Sequence, residues 1–146
     1  MPKSLFRLAV VASVLVCGIA CSKEQRGNRK ETSPVKGKVL VDGQPVGQMA
    51  VRCFSVTGID KENPSLSSCF TGQDGTFQIS TYEQGDGVPE GEYALTFQWG
   101  ELNLFSKSYD GDKLNGRYND PAKSEVKFTV TKGQPVELGE IKLTTK

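Results

Sequence analysis

Four cysteines, Cys17, Cys21, Cys53 and Cys69, are the residues of this 146-residue chain best suited to covalent chemistry. A thiol can form a disulfide or carry a modification, and as a thiolate it can act as a nucleophile or a metal ligand. The chain contains no histidine, which excludes Ser-His-Asp triads, Cys-His dyads and nearly all catalytic zinc sites. We therefore predict that the protein is not an enzyme and that it holds no cofactor or metal.

The first two cysteines lie at the end of an N-terminal segment that has the three parts of an export signal. Lys3 and Arg7 form the basic part, residues 8–16 form the apolar part, and small residues precede Cys21. The apolar run is shorter than the roughly 20 residues that a bilayer span needs. Residues 1–20 are therefore predicted to be a signal peptide that is cleaved off.

The residues around the predicted cut carry a further motif. Gly18-Ile19-Ala20-Cys21 resembles a bacterial lipobox, although Gly18 stands where leucine is usual. Cys17 fits worse, because the bulky Val16 would precede the cut. The resemblance implies that Cys21 carries a diacylglyceryl thioether with acyl chains such as palmitate, and two acyl chains give lasting membrane attachment. The alternative is an ordinary secretory signal with incidental cysteines.

Residues 21–34 are polar and show no apolar periodicity, so we predict a flexible tether. Its positive charge either rests against anionic headgroups or is simply solvated. Ser22, rather than aspartate, follows the cysteine, which favours the outer membrane. The expected location is the cell envelope, outside the cytosol and anchored to a membrane. Residues 37–146 hold 11 basic and 15 acidic residues, so we expect no nucleic-acid partner.

From Val35 onward, short alternating segments separated by turn residues predict an all-β domain over residues 35–146. Asp42-Gly43 indicates a tight hairpin, and Gly72–Gly75 is expected to join a second hairpin. Seven strands at this spacing favour a two-sheet sandwich. The expected strands cover residues 35–41, 49–54, 67–71, 76–80, 92–99, 125–131 and 136–143.

Four segments in succession resemble a known domain: residues 39–46, 71–77, 85–93 and 118–124. They are similar to the carboxypeptidase regulatory-like domain, and more closely to planctomycete-type small lipoproteins built from that transthyretin-like sandwich. The resemblance covers about 110 residues. It implies a prealbumin-like, seven-stranded Greek-key β-sandwich, and it implies no activity, since fold does not determine function.

Cys53 and Cys69 depart from that pattern, which often has an aromatic and a small residue at these positions. Both fall on predicted neighbouring strands, and export places them in an oxidising compartment. A disulfide between them is the economical interpretation and would contribute about 3 kcal/mol if its geometry is unstrained. Two small buried thiols are the alternative.

The best candidate for a binding surface is the loop over residues 100–119, the longest segment without a regular pattern. Leu104, Phe105, Tyr109 and Tyr118 are the residues that we expect to form this surface. The alternative is that these side chains cover an open end of the sandwich. Residues 110–116 begin like a calcium-binding loop but match it poorly. Asp74, Asp86, Asp110 and Asp112 are therefore interpreted as turn formers.

Two functions follow from this pattern. The favoured one is a lipid-anchored, non-catalytic module of the cell envelope that is structural or binds an envelope protein. The alternative is a module that binds an extracellular polysaccharide or a peptide through the 100–119 loop. In both, the N-terminal lipid makes the membrane a partner.

Overall fold

A computed structural model describes residues 29–61 and 64–146, and these residues are almost entirely β-structure. The all-β prediction is confirmed. The predicted signal peptide, the lipidation site Cys21 and the tether up to residue 28 lie outside the described residues. The strands are β1 (Thr32–Ser33), β2 (Val35–Val41), β3 (Gln44–Pro45), β4 (Ala50–Ser55), β5 (Ser67–Phe70), β6 (Thr76–Gln78), β7 (Val88–Pro89), β8 (Gly91–Gln98), β9 (Glu101–Asn103), β10 (Ser108–Asp110), β11 (Lys127–Val130) and β12 (Val136–Leu143), with one 3-10 turn at Pro121–Lys123.

The strands form two larger sheets that share one core, which is the architecture of a β-sandwich. One sheet has the order β11-β8-β4-β5, and the other has the order β12-β2-β3 with β6 also paired to β2. Two small sheets, β1 with β7 and β9 with β10, lie at the ends of the sandwich. The inward-facing side chains make the core: Val35, Val39, Val41, Val46, Met49, Val51, Cys53, Phe77, Ile79, Val88, Tyr93, Leu95, Phe97, Leu114, Val130, Ile141 and Leu143.

Strand β2 shows why the alternation in the sequence produces a sheet with one buried face. Val35, Val39 and Val41 point inward and are almost fully buried. Gly37 is the fourth inward position, and a Cβ there would meet the Phe77 ring at 2.9 Å, so the glycine leaves room for that ring. The turn that follows uses left-handed backbone at Asp42 and Gly43, with φ values of 48° and 82°. This is the conformation that a two-residue hairpin requires, and it starts the pairing of β2 with β3.

The second predicted hairpin is wrong. Strand β5 pairs with β4 in one sheet, whereas β6 pairs with β2 in the other. Backbone pairing between the two segments is limited to one bridge, Ser68 with Ser80, in which the N–H of each residue donates to the carbonyl oxygen of the other at 3.0 and 3.1 Å. At Gly75 the chain crosses from one sheet to the other, because the Gly75 carbonyl oxygen accepts from the N–H of Val39 in β2 at 2.8 Å. The turn therefore connects the two sheets instead of closing a ladder.

The sequence did not predict which strand pairs with the last one. Strand β12 runs parallel to β2, with Val136 opposite Val35 and Leu143 opposite Val41. The register shifts between Glu137 and Glu140, where β12 carries a bulge. This parallel pairing places β12, the last strand, beside β2, the first long strand, so the C-terminal part of the domain is hydrogen-bonded to its N-terminal part.

This register also defines the two ends of the sandwich. We call the end at Val35, where the chain enters the fold, the tether end, and the end at Val41 the distal end. Strand β7 pairs with β1 just before Val35, and β8 follows β7 directly, so β8 runs from the tether end at Gly91 to the distal end at Gln98. Strand β4 runs antiparallel to β8 and returns from the distal end to the tether end.

The folded domain begins earlier than residue 35. Thr32 and Ser33, which were assigned to the predicted tether, form β1, and Ser33 is almost completely buried. The Ser33 hydroxyl oxygen accepts from the Gly133 N–H at 2.9 Å, and the Pro34 carbonyl oxygen accepts from the Val136 N–H at 2.9 Å. These bonds satisfy backbone groups that a flexible tether would leave to water.

Candidate binding surface

The 100–119 segment is not irregular throughout, because its first half is a β-hairpin at the distal end. Strands β9 and β10 pair antiparallel, with Asp110 opposite Glu101 and Ser108 opposite Asn103. The hairpin extends β8 beyond the last paired residue of the larger sheet. Its alternation over only three residues per strand was too short to be recognised as a strand pattern.

The tip of the hairpin presents two adjacent apolar side chains to solvent. Leu104 is 79% exposed and Phe105 is fully exposed. The Asn103 side-chain oxygen accepts from the N–H groups of Phe105 and Ser106 at 3.0 and 3.2 Å, which forms an Asx turn. Lys107 closes the turn in a left-handed conformation, with φ of 54°. The two apolar side chains are thus held out by a hydrogen-bonded turn.

The base of the hairpin is fastened to the sandwich by Tyr109. Its hydroxyl donates to the Gln48 carbonyl oxygen at 2.7 Å and accepts from the Gly100 N–H at 2.8 Å. Its ring makes an edge contact with Phe70 of β5, with centroids 5.3 Å apart. Gly100 allows this close approach, since a Cβ there would lie 2.6 Å from the Asp110 carbonyl oxygen.

The second half of the segment is held from within by Asp112. One carboxylate oxygen accepts from the N–H groups of Trp99 and Leu114, both at 3.0 Å, and the other accepts from the Gly116 N–H at 2.8 Å. Leu114 is completely buried in the core. The Lys113 ammonium lies 4.9 Å from the centre of the Trp99 ring. This part of the segment therefore closes the distal end of the core.

The four residues predicted for the binding surface divide into two pairs. Leu104 and Phe105 lie together at the exposed tip. Tyr109 fastens the hairpin, and Tyr118 packs against the core while its hydroxyl accepts from the Thr144 N–H at 3.0 Å. The interpretation that aromatic residues cover an open end thus describes the two tyrosines, whereas the tip remains open to a partner. Leu102, which is also exposed on β9, belongs with the tip.

A second exposed apolar region was missed by the sequence reasoning. Val56, Ile59 and Leu66 are exposed on the loop between β4 and β5, which lies at the tether end. A concavity of about 730 Å³ lies beside this loop and is also lined by Cys53 and Tyr93. Charged residues and a proline dominate residues 58–65, so the composition of this segment gives no signal of the separated apolar side chains in and beside it.

Cys53 and Cys69 are free thiols in the structure, so the predicted disulfide is not shown and stays a prediction. The register places Cys69 opposite Val51, on the same face of the sheet as Cys53 and diagonal to it. Burial raises the pKa of both thiols to about 12, with the neighbouring Cys69 adding to the effect on Cys53. At neutral pH both thiols are protonated, and a protonated thiol is a poor nucleophile.

The aspartates in the turns accept hydrogen bonds from nearby groups, as their interpretation as turn formers predicts. Asp74 accepts from the Thr76 N–H at 3.1 Å, and Asp86 accepts from the Thr81 N–H at 2.7 Å. Asp110 differs, because it ends strand β10 and accepts from the Ser108 hydroxyl at 2.6 Å. Within the described ranges, the His, Cys, Asp and Glu residues form no group of three or more that could hold a metal ion. None of the helical residues in those ranges forms a segment long and apolar enough to cross a membrane.

A second concavity, of about 840 Å³, lies along the sheet edge where β5 and β6 meet. Phe70 and Cys69 line one side, and charged side chains of β2 and β12 line the other. Lys36 and Glu137 form an ion pair there, with nitrogen and oxygen 2.7 Å apart. This concavity is broad, and the one exposed large apolar side chain that lines it is Phe70, so it is a weaker candidate than the hairpin tip.

No protein-family model matches the chain, and no curated protein matches it significantly in sequence. Several solved structures are similar in fold. A 9R-lipoxygenase from Cyanothece PCC8801 is 13% identical with a TM-score of 0.41, over 77% of this chain and 16% of that one. A DUF3823 family protein from Parabacteroides merdae is 18% identical with a TM-score of 0.39, over 80% of this chain and 46% of that one. The chain therefore spans less than half of the length of either protein.

A third similar structure is the dioxygenase domain of a dioxygenase carbohydrate-binding protein fusion from Streptomyces sp. SirexAA-E. It is 14% identical with a TM-score of 0.41, over 81% of this chain and 84% of that domain. The DUF3823 likeness is compatible with a β-sandwich domain. With TM-scores below 0.5, none of these likenesses carries an argument about what this chain binds or does.

The prediction that the chain is not an enzyme is corrected, because the absence of histidine did not support it. Two of the similar structures, the lipoxygenase and the dioxygenase domain, are named as enzymes. The absence of histidine excluded only the sites that depend on histidine, so it did not support the broader conclusion. The function proposed below therefore makes no statement that the protein lacks catalysis.

Proposed function

We propose that this chain is a lipid-anchored protein of the cell envelope whose β9–β10 hairpin binds an envelope protein. Leu104 and Phe105, exposed side by side on a hydrogen-bonded turn, are the observation that carries the proposal. An apolar pair on a rigid support buries area on binding without a large loss of conformational entropy, which is the property of an interface anchor.

The lipid anchor is proposed from the lipobox-like residues 18–21 and the short tether that follows. The described fold adds a supporting feature, because the tether enters at the end opposite the hairpin. Strand β2 starts at the tether end, and the hairpin follows β8 at the distal end. A partner can therefore reach the tip of the hairpin while the protein is anchored to a membrane.

The finer fold type is also proposed: a seven-stranded Greek-key sandwich of the carboxypeptidase regulatory-like, prealbumin-like kind, in a planctomycete-type small lipoprotein. Twelve strands occur in the described part of the chain, and five of them are short accessory strands. The two larger sheets contain the short β3 and seven other strands. These seven are β2, β4, β5, β6, β8, β11 and β12. Their number supports the proposed type.

The tip is better suited to a protein than to a polysaccharide. Sugar sites commonly use an aromatic face with hydrogen-bonding groups beside it, but the Trp99 ring is covered by the Lys113 ammonium at 4.9 Å. At the tip, the neighbour of Phe105 is Leu104, and the Asn103 side-chain oxygen is engaged by the turn. Two adjacent exposed apolar side chains at the tip favour a hydrophobic pocket on a protein.

The test is photo-crosslinking of the full lipidated protein in its own membranes, with a photoreactive residue at position 105. We expect a discrete adduct that is competed away by added wild-type protein. Added Leu104→Ser/Phe105→Ser protein should not compete. The matched control is a photoreactive residue at Gln44, which is exposed on β3 at the same end.

Competition decides the result. A position-105 adduct that both competitors remove, or no adduct at all, would refute the hairpin as the binding surface. A glycan array with the same protein tests the polysaccharide alternative. If the protein binds a polysaccharide on the array and the double variant does not, the hairpin binds a polysaccharide instead of a protein.

A further inference from the structure

Large apolar side chains are exposed at two places in the described part of the chain. Four lie at the distal end: Leu102, Leu104 and Phe105 on the hairpin and Phe70 beside it. The other three are Val56, Ile59 and Leu66, with exposures of 52%, 81% and 65% on the loop between β4 and β5. Single exposed apolar residues are common, but Ile59 and Leu66 also line one concavity, and such a grouping favours a contact surface.

We propose that Val56, Ile59 and Leu66, here called the tether-end surface, rest on the lipid bilayer that holds the anchor. This inference rests on the proposed function, because it requires the lipid at Cys21. It adds a defined orientation to that function: the tether end of the sandwich faces the lipid and the hairpin faces away from it.

The chain leaves the fold beside this surface. The Lys30 ammonium contacts the carboxylate of Asp60, next to Ile59. The Arg29 guanidinium donates to the Glu83 carboxylate at 3.3 Å and lies 5.3 Å from the centre of the Tyr82 ring. These contacts hold the end of the tether against the tether end of the sandwich. The anchored segment therefore starts next to the three apolar side chains.

The length of the tether limits how far this end can move from the bilayer. Residues 21–28, eight in number, precede the described part. Fully extended they span about 28 Å, and as a flexible chain they span about 16 Å on average. The eight residues of β8 place the hairpin a further 26 Å away, roughly. Of the two exposed apolar surfaces, the tether-end surface is held closer to the lipid than the hairpin is, so its effective concentration at the lipid is higher.

The chemistry of this end fits an interfacial contact. Aliphatic side chains enter the boundary between headgroups and acyl chains to a depth of about 5–10 Å. Residues 21–28 carry Lys23 and Arg26 against Glu24, and this small excess of positive charge is attracted to anionic headgroups. A lipid surface needs apolar area but no matching shape, so a long loop with separated aliphatic residues can use it.

The test measures depth in the bilayer with tryptophan fluorescence. The full lipidated protein carries Trp99→Phe, which removes its one tryptophan, together with Ile59→Trp. The matched control carries Trp99→Phe with Phe105→Trp. Both are inserted in vesicles of phosphatidylethanolamine and phosphatidylglycerol with brominated acyl chains. We expect the tryptophan at position 59 to be quenched about threefold more strongly than the one at 105.

Vesicle flotation separates this inference from the proposed function. If the protein floats with the vesicles and the tryptophan at 59 is quenched no more than the one at 105, the orientation is refuted while the anchor stands. If the protein does not float, the anchor itself is refuted. A dimer in detergent together with an unquenched tryptophan at 59 would refute the lipid contact and assign this surface to a second copy of the chain.

Discussion

The two ends of the sandwich both expose apolar side chains, but they support them differently. At the distal end, Leu104 and Phe105 sit on a hairpin whose base is fixed by the Tyr109 hydroxyl. At the tether end, Ile59 and Leu66 lie on a long loop whose described residues form no ladder of their own. A preorganised tip suits a partner with a defined pocket, whereas a loop suits a fluid surface. We therefore propose different partners for similar residue types, because the backbone beneath them differs.

The largest expected effect tests how tightly the tether end is packed. A Cβ at Gly87 would overlap the carbonyl oxygen of Ser33 in β1, and Gly87 has φ of 86°. We expect Gly87→Ala to lower the free energy of unfolding by about 3 kcal/mol or more, because both the clash and the left-handed backbone oppose alanine. Urea denaturation followed by circular dichroism measures this.

Its matched control lies at the distal end. Gly111 has a similar φ of 74° but open space around the Cβ position. Gly111→Ala is therefore expected to cost about 1 kcal/mol, the backbone penalty alone. Equal losses for the two variants would show that β1 is not packed against Gly87 as described.

The next effect separates the two halves of the 100–119 segment. Leu114 is completely buried, so Leu114→Ala is expected to lower the free energy of unfolding by about 3 kcal/mol. Leu104 is exposed at the tip, so Leu104→Ala is expected to change it by less than about 0.5 kcal/mol. Chemical denaturation of the two variants side by side makes the comparison. A large loss from Leu104→Ala would mean that the tip is packed and not available to a partner.

The smallest effect distinguishes the ends by pH. At the distal end, hydrogen bonds from Thr145 and Thr144 hold the pKa of Asp42 below its ordinary value of 3.8. Its stabilising contribution is therefore present above pH 3.8 and is lost as the pH falls through the lower folded value. At the tether end, the hydrogen bond to Glu31 raises the pKa of Lys132 above 10.5. That contribution is present below pH 10.5 and is lost as the pH rises through the higher folded value.

Acid should therefore loosen the distal end and alkali the tether end. Amide chemical shifts of Thr145 and Glu31, followed by NMR across the pH range, report the two events separately. Asp42→Asn should abolish the acid transition at Thr145 without moving the alkaline one. If Thr145 shows no transition below pH 3.8 in the unmodified protein, Asp42 does not hold the C-terminal residues.

The alternation of apolar and polar residues predicted strands best where one face of the strand is buried along its whole length. Strand β2 spans the predicted residues, and Tyr93, Leu95 and Phe97 of β8 point inward as their alternation indicates. Ala94 and Thr96, on the opposite face of β8, are also buried. Strand β8 lies between β4 and β11, and neighbours on both sides cover small side chains. Periodicity describes one strand and carries no information on what covers its second face.

The candidate site was predictable only in part. The absence of a pattern over residues 100–119 correctly marked a segment outside the main sheets, but it did not distinguish Phe105, which is exposed, from Leu114, which is buried. Both are large apolar residues in a polar context. Two contacts help to decide which one turns inward: the Tyr109 hydroxyl bonds to Gln48, 61 residues away, and Asp112 bonds to the Trp99 N–H, 13 residues away.

The sequence by itself determined that the domain is all-β, where its long strands lie and where Asp42 and Gly43 turn the chain. These features follow from the sequence because alternation and left-handed turn residues act over a few neighbouring positions. Only the tertiary structure decided the parallel pairing of β12 with β2, the crossing of β6 to the other sheet and the separation of two apolar surfaces to opposite ends. Those outcomes depend on which side chains fill the space between two sheets, and that is a property of the whole packed core.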